Sequence, residues 1–452
     1  MIQATTFLTC TDCLPGGYII CAFLKGCDMA GLGALLRKIL SRQGSSLGAS
    51  AGDCRATRED GMSSGVLHCR AQVEQQPKNA QHRFVLALAL AGDGQLPEAV
   101  EAYRHAIRLQ PRLAAAHANL GLLLQELGLP GVENALRQAC TLVPDNPVFA
   151  QNLRLHLSGK APMWHFSMMN DVQRNEAYRQ ALERVVRPGD HVLDIGTGSG
   201  LLALMAARAG ARRVTSCEMV PEIAAKARQI ITANGQEKRI RVIDKPSSEL
   251  QIPEDMPERA DVLVSEIFSS ELIGEDVLPS FEHAREHLLK KDARIIPAQG
   301  WIVGQLAGAA ELESYLRVGT VAGFDLSAFN EFSPVTVFPT EWNIDLDYQS
   351  EPFDIFSFDF QQEAVFPAQS RSLQIPVIRS GLCHGVLQWI RLCLHDEIFY
   401  ENSPGIGARS DHAGHWRLAL HTFPAPLMLE AGQHLKILAQ HNRKNVTFRA
   451  EN

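Results

Sequence analysis

The sequence predicts a multidomain α+β protein: all-α helical hairpins first, then a doubly wound parallel α/β sheet, then an antiparallel β region carrying a helical insertion. Three observations predict it. Pro77, Pro111 and Pro144 recur 34 and 33 residues apart within helix-patterned sequence. From HVLDIG (191–196) onward, short apolar runs alternate with helical segments. After Pro297, strand-like runs follow one another with turn residues between them, as in a β-barrel or sandwich.

At 452 residues the chain has room for two or three domains. Apolar residues make up 46% and charged residues 21%, as in an ordinary globular protein. The net charge of −7 argues against a general nucleic-acid binder, which needs a basic face to neutralise phosphates. No apolar run approaches the roughly 18–20 residues of a membrane span. Of ten cysteines, six fall within the first seventy residues; Cys10 and Cys13 form a CxxC that no second pair answers, so no metal site is expected. Cys140, Cys217, Cys383 and Cys393 are scattered, as in a reducing compartment, and the expected location is cytoplasmic. GGYIICAFL is short and follows no basic residue, so it does not read as a signal peptide. Residues 1–65, rich in Gly, Ser and Cys, are expected to form a poorly ordered leader.

Within AVEAYRHAIRLQPRLAAAHANLGLLLQELG, Ala99, Tyr103 and Ala106 precede Pro111, and Leu120, Gly121 and Leu124 follow it. The small residues let two helices touch, the large ones fill the groove between them, and the proline ends the second helix. This pattern resembles the tetratricopeptide repeat (TPR), with repeats over about 80–113 and 114–146 and half-repeats at 66–78 and 147–157, inside a helical region of 66–160. The resemblance implies a peptide partner or a scaffolding role.

LSGKAP (157–162) is a linker, and WHFSMMNDVQRNEAYRQALERVV reads as one or two amphipathic helices. The α/β region is expected over 161–296. Its first strand runs into HVLDIGTGSG, where Gly196, Gly198 and Gly200 let the backbone pass close to a ligand and a helix start offers free N–H groups. Asp194 sits at the strand tip, Glu218 closes the next strand, and Ser247 and Ser248 follow the third in VIDKPSSE. An acid at the second tip suits two ribose hydroxyls. The set resembles the class I, Rossmann-like methyltransferases that use S-adenosyl-L-methionine (SAM). Asp194 suits the cationic amino-acid end of SAM and would repel the pyrophosphate of a nicotinamide cofactor.

The fourth strand, ADVLV, leads into SEIFSSELIGE, with Glu266, Glu271 and Glu275. Ligands in such sheets lie beyond the carboxyl ends of the strands, so Glu266 points into the crevice beside SAM. Glu275 returns nine residues later, a span that a hairpin-like loop closes. Glu271 is read as a helix-start or surface charge, with Ser269 and Ser270 as possible caps.

A Glu pair nine apart after the fourth strand resembles the double-Glu loop of the protein arginine N-methyltransferases, and the likeness extends over about 290 residues from Met163. MMNDVQR resembles that family's N-terminal helix, which implies that Arg174 meets the SAM carboxylate, Met168 lies near the sulfonium, and Asp171 pairs with His415 as a proton-accepting dyad. GHWRLALHTF resembles the family's Thr-His-Trp loop, with Gly414 in place of Thr and His415 and Trp416 retained; Trp416 is expected to line the substrate site. GFDLS (323–327) resembles part of a dimerisation arm, expected as helix over about 311–345 within a β-barrel domain of 297–452. HNRKNVTF resembles the closing hairpin.

The chemistry accounts for the residue types. A guanidinium spreads its charge over three nitrogens, none of them a good nucleophile. Two carboxylates that take bidentate hydrogen bonds concentrate positive charge on the nitrogens they grip, and leave lone-pair density on the one aimed at the methyl group. The resemblance therefore implies methyl transfer to arginine in a protein substrate, by a homodimer through the arm, with SAM as cofactor and neither membrane nor direct nucleic-acid binding. Two departures leave the number of methyl groups open: Val277 stands where the asymmetric branch has Met, and Gly414 replaces Thr, while ELIGEDVLPS looks more like the monomethylating or symmetric branches. Two other readings stay open at this level: a TPR adaptor with an inert methyltransferase domain, and a small-molecule guanidine methyltransferase.

Overall fold

The computed structural model of the protein describes residues 64–404 and 416–451. They fall into two compact units that divide between Lys160 and Ala161. The predicted leader, up to residue 63, lies outside the described residues.

The first unit is all helix: α1 Ser64–Gln75, α2 Ala80–Gly92, α3 Leu96–Leu109, α4 Ala114–Glu126, α5 Val132–Leu142 and α6 Pro147–Ser158. Pro77, Pro111 and Pro144 stand in the turns after α1, α3 and α5. Proline lacks the N–H the helix ladder needs and clashes with the preceding turn, so each helix stops ahead of it. Asn79 and Asn146 then restart the chain as N-caps, each side-chain oxygen accepting two backbone N–H groups. Ala99, Tyr103, Ala106, Leu120 and Leu124 are all buried, as the repeat pattern requires. At Gly121 a Cβ atom would stand 2.7 Å from Leu136 Cδ2, so only glycine lets α4 and α5 approach this closely.

The second unit opens with α7 Trp164–Asn170 and α8 Val172–Val185, split at Asp171, whose Oδ1 accepts the Arg174 N–H at 2.9 Å and caps α8. Five strands follow: β1 His191–Ile195, β2 Arg213–Cys217, β3 Ile240–Ile243, β4 Ala260–Ser265 and β5 Leu289–Ile296. Between them run α9 Leu201–Arg208, α10 Pro221–Ala233 and α11 Val277–His283. The sheet order is β3-β2-β1-β4-β5 and every pair is parallel. Covered on both faces, β1 is buried throughout. The chain order reverses at β1, which has β2 on one side and β4 on the other. That switch point sets the carboxyl ends of β1 and β4 side by side, with Ile195 paired to Ser265.

The remaining strands are β6 Gln299–Gly308, β7 Thr320–Val321, β8 Phe324–Asp325, β9 Thr336–Val337, β10 Asp347–Tyr348, β11 Phe353–Asp359, β12 Gln369–Pro376, β13 Gly381–His395, β14 Ile398–Glu401, β15 Ala419–Leu429, β16 His434–His441 and β17 Val446–Glu451. A seven-stranded antiparallel sheet runs β10-β6-β13-β15-β9, with β11 also on β6 and β14 on β13; β12-β16-β17 form a second sheet. The β region is antiparallel as expected, in two sheets that no ladder among the described residues joins into one. The end strands β9 and β10 are two residues long and extend no ladder to the second sheet. Side chains join the sheets instead, with Phe356 and Phe358 of β11 edge-on to His441 of β16.

The arm also differs from expectation. Its helix, α12, spans only Leu312–Leu316, after which β7 and β8 form a hairpin and short 3-10 turns follow at Ser327–Phe332 and Pro339–Trp342. The stretch VGTVAG explains this: glycine and β-branched residues disfavour helix. Ala322 and Gly323 take φ of 52° and 85°, the left-handed pair that a two-residue hairpin turn demands.

Candidate active site

The loop after β1 is left-handed at all three predicted glycines, with φ of 86° at Gly196, 52° at Gly198 and 85° at Gly200. A Cβ on Gly196 would lie 2.4 Å from Ile267 Cγ2, so this glycine is fixed by the residue that follows Glu266. Met168 of α7 approaches from the other side, its Cε 3.9 Å from where a Cβ of Gly198 would be.

Two carboxylates frame this loop. Glu218 accepts the Gly198 N–H at 3.1 Å through one oxygen and the Val220 N–H at 3.0 Å through the other. Asp194 is fully buried, and its Oδ2 accepts the Ser216 hydroxyl at 2.6 Å. Thr197 extends the chain through its own bond to that hydroxyl. The second oxygen, Oδ1, has no hydrogen-bond partner among the described residues, and burial lifts the Asp194 pKa to about 7. A buried carboxylate with an unfilled acceptor suits a ligand that brings positive charge and N–H donors, as the amino end of SAM does. Ser247 is buried at the start of the short turn Ser247–Glu249, and Ser248 is exposed.

Glu266 leaves the tip of β4. Its carboxylate lies 2.5 Å from Arg174 Nη2 of α8, and both side chains are buried, at 4% and 3% exposure. Arg174 Nη1 donates to Asn175 Oδ1 at 2.8 Å, and the guanidinium lies 5.1 Å over the Tyr178 ring. Tyr178 in turn donates its hydroxyl to the Ser265 carbonyl at 3.0 Å, joining α8 to the end of β4. Arg174 and Glu266, expected on the cofactor and substrate sides respectively, thus meet in one buried ion pair. Arg174 Nε, also buried, has no hydrogen-bond partner among the described residues.

Beyond Glu266 the chain doubles back. Leu272 N–H donates to the Ser269 carbonyl at 2.9 Å, and Leu272 adopts φ of 68°. The Ser269 hydroxyl accepts N–H groups from Glu271 at 3.2 Å and Gly274 at 3.0 Å. Ser269 therefore folds a tight turn, where the sequence suggested a helix cap. Leu272 and Ile273 are wholly buried and Glu275 emerges exposed at the far end. Glu271 is corrected from a surface charge to a half-buried acid: its Oε1 lies 3.5 Å from Nε2 of His421, and burial raises its pKa.

Trp416 closes the site from the β region, its indole N–H donating to the Phe268 carbonyl at 2.6 Å. Its ring packs 5.1 Å from that of Tyr400, whose hydroxyl donates to Asp171 Oδ2 at 2.6 Å. Gly414 and His415 lie outside the described residues. Asp171, Arg174, Glu266 and Trp416 are thus linked through one connected set of contacts. Sequence reasoning missed Tyr178, Tyr400 and Ser216. Only Ser216 had a usable signal: aligning the tips of neighbouring strands pairs it with Asp194, as the register shows.

Comparisons with known proteins bear on the family and the fold. Residues 179–304 match the ribosomal protein L11 methyltransferase (PrmA) family, and residues 87–128 match the TPR repeat. The chain is 39% identical over 298 residues to an arginine N(omega)-methyltransferase of Streptomyces achromogenes subsp. streptozoticus, covering 65% of this chain and 79% of that one. It is 31% identical over 318 residues to protein arginine N-methyltransferase 7 of Oryza sativa subsp. indica, covering 63% of this chain but 44% of that longer one, so it spans a little under half of that relative. The Trypanosoma brucei PRMT1 enzyme–prozyme heterotetrameric complex with AdoHcy shares the fold, with a TM-score of 0.53 at 22% identity, over 64% of this chain and 96% of that one. With a Gly loop and orphaned Asp194 suited to SAM, and a relative matched over most of its length, the chain belongs to the SAM-dependent arginine N-methyltransferase family.

Proposed function

We propose that the protein transfers the methyl group of SAM to a guanidinium nitrogen of arginine in a protein substrate, with Glu266 and Glu275 as the clamp. The observation that carries this reading is the guanidinium of Arg174 already seated on buried Glu266 at the β1–β4 switch point. A carboxylate so placed binds the ionic group that the acceptor presents. Bound SAM supplies an electrophilic methyl group. In this reading Arg174 holds its carboxylate, Asp194 its ammonium, Glu218 the ribose hydroxyls, and Ser247 and Ser248 the adenine edge, while the backbone at Gly196, Gly198 and Gly200 and the side chain of Met168 enclose it. Glu266 and Glu275 orient the acceptor and localise its charge, Trp416 walls it, and Asp171 with His415 receives the proton that the methylated nitrogen sheds.

A second reading has its own support. The Streptomyces relative is named for arginine, without the word protein, whereas the rice relative is a protein arginine N-methyltransferase. A free arginine or another small guanidine is therefore the competing acceptor. The deciding experiment incubates the full chain with labelled SAM and either free L-arginine or arginine-rich proteins, and reads methylarginine by mass spectrometry. Transfer to protein is expected; transfer confined to L-arginine would replace the first reading with the second. The same assay without residues 64–160 tests a peptide-binding role for the repeats, which an unchanged KM for protein acceptors would remove.

A cytoplasmic enzyme with a leader over 1–65, repeats over 66–160, a SAM domain over 161–296 and a substrate domain from 297 completes the proposal. So does a homodimer through the arm, which is supported by Phe324, Phe329, Phe332 and Val335 at 67–79% exposure. Replacing Phe329 and Phe332 with Ser should shift the protein from dimer to monomer in light scattering. A parent that already runs as a fully active monomer would rule the dimer out.

A further inference from the structure

We propose that His421 and Glu271 form a positioning pair that sets the 266–275 loop against the β15 strand, and so governs affinity for the arginine acceptor. The proposal rests on the clamp reading of Glu266 and Glu275. Three ties in sequence bind this loop to the segment around Trp416. Trp416 donates to the Phe268 carbonyl, Arg417 N–H donates to the Ser270 hydroxyl at 2.9 Å, and His421 faces Glu271 at 3.5 Å. The first two engage Phe268 and Ser270, and the third reaches Glu271.

The surroundings of His421 keep its ring neutral and fix its plane. It is buried in β15, and burial pushes its pKa down to about 4, so the ring is neutral near pH 7. Its Nδ1 lies 3.3 Å from the Thr336 hydroxyl of β9, which can donate to it. In the tautomer where Thr336 donates to Nδ1, the proton sits on Nε2, facing the Glu271 carboxylate. No hydrogen bond of ordinary length reaches Nε2 among the described residues, so the 3.5 Å contact with Glu271 is the one available to it. The edge of Phe448 packs on the ring, 4.9 Å between centroids, and fixes its plane.

The loop transmits this contact. Ser269 ties the N–H groups of both Glu271 and Gly274, and Leu272 and Ile273 between them are fully buried. The segment from Glu271 to Gly274 therefore moves as one piece, and Glu275 is the next residue. A shift of Glu271 is a shift of the proposed second clamp carboxylate, while Glu266 stays on its strand. A polar contact between two specific groups suits this task better than an apolar contact of equal area, because each group has one partner to face.

The test measures steady-state transfer to L-arginine and to an arginine–glycine-rich peptide, SAM affinity by calorimetry, and thermal stability. Glu271→Ala and His421→Ala are each expected to raise the acceptor KM about ten-fold with SAM affinity unchanged, and the double variant to match the single ones, as coupled residues do. Glu271→Gln, which keeps an acceptor oxygen facing Nε2, should hold KM near the parent value even if the alanine variants are too unstable to assay. A pair that only supports the fold would lower thermal stability and leave KM alone, and that result overturns the proposal. So does multiplication of the two single effects in the double variant. Glu266→Gln and Glu275→Gln run alongside. If these keep full transfer, the clamp reading has failed and this proposal with it. If they lose transfer while the Glu271 and His421 variants keep the parent KM, only the pair has failed.

Discussion

Glu266→Gln should lower kcat/KM for the arginine acceptor by about a hundred- to thousand-fold, the scale seen when one preorganised charge-stabilising group is removed. SAM affinity should change far less. The reason for choosing glutamine lies in the Arg174 contact. The Glu266 carboxylate serves as the buried partner of Arg174 at 2.5 Å, so its deletion removes a structural ion pair as well as the proposed clamp. Alanine would strand the Arg174 charge in a buried site, at a cost of about 3–5 kcal/mol, and any loss of activity would be ambiguous. Glutamine keeps the shape and one acceptor oxygen for Arg174 but removes the negative charge that localises charge on the substrate guanidinium. A protein that folds, binds SAM and transfers at the parent rate with Gln at 266 would refute the clamp. Glu275→Gln should act mainly on acceptor binding, because Glu275 is exposed at the end of the loop and its charge is better hydrated.

Much of this site was legible because its signals are local. A strand, a glycine turn and an acid at the tip lie within ten residues at 191–200, and the repeat prolines mark helix ends directly. The pairing of Asp194 with Ser216 needed only the register of two adjacent strands. The contacts that were missed join distant parts of the chain. Tyr400 reaches Asp171 across 229 positions, and Trp416 reaches Phe268 across 148, with nothing in either neighbourhood to announce the other. Glu271 was misread for the same reason: its partner His421 sits in an unremarked strand, and a carboxylate in a polar loop looks solvated until the fold covers it. The β region and its helical insertion were read from strand-like and helix-like runs, and only the insertion's role as a dimerisation arm from resemblance. The helix of the arm gave way where Gly319, Gly323 and the β-branched residues between them favour a hairpin.

SAM should bind about ten-fold more weakly at pH 5.5 than at pH 7, and Asp194→Asn should flatten that slope while weakening binding throughout. In the unliganded protein burial holds Asp194 near pKa 7, with Oδ1 unpartnered. The ammonium of a bound ligand favours the ionised form, so binding lowers this pKa and releases a proton. Affinity is then full where Asp194 is already ionised and falls as pH drops through 7, because the proton must be displaced first. Above about pH 8 the ligand's own amino group loses its proton, and affinity should fall again, giving a bell. The fold shows the other side of the same linkage. Between the unfolded pKa near 4 and the folded value near 7 the native state holds the extra proton, so stability without ligand declines as pH rises across that window. Asp194→Asn removes that decline, so the variant should melt higher than the parent at pH 8 while binding SAM worse. Calorimetric SAM titrations at pH 5.5, 7 and 8.5, with melting curves on both proteins, test each sign separately. A parent affinity equal at pH 5.5 and 7, or the same slope surviving in the Asn variant, would show that Asp194 does not carry the charge of the bound amino group.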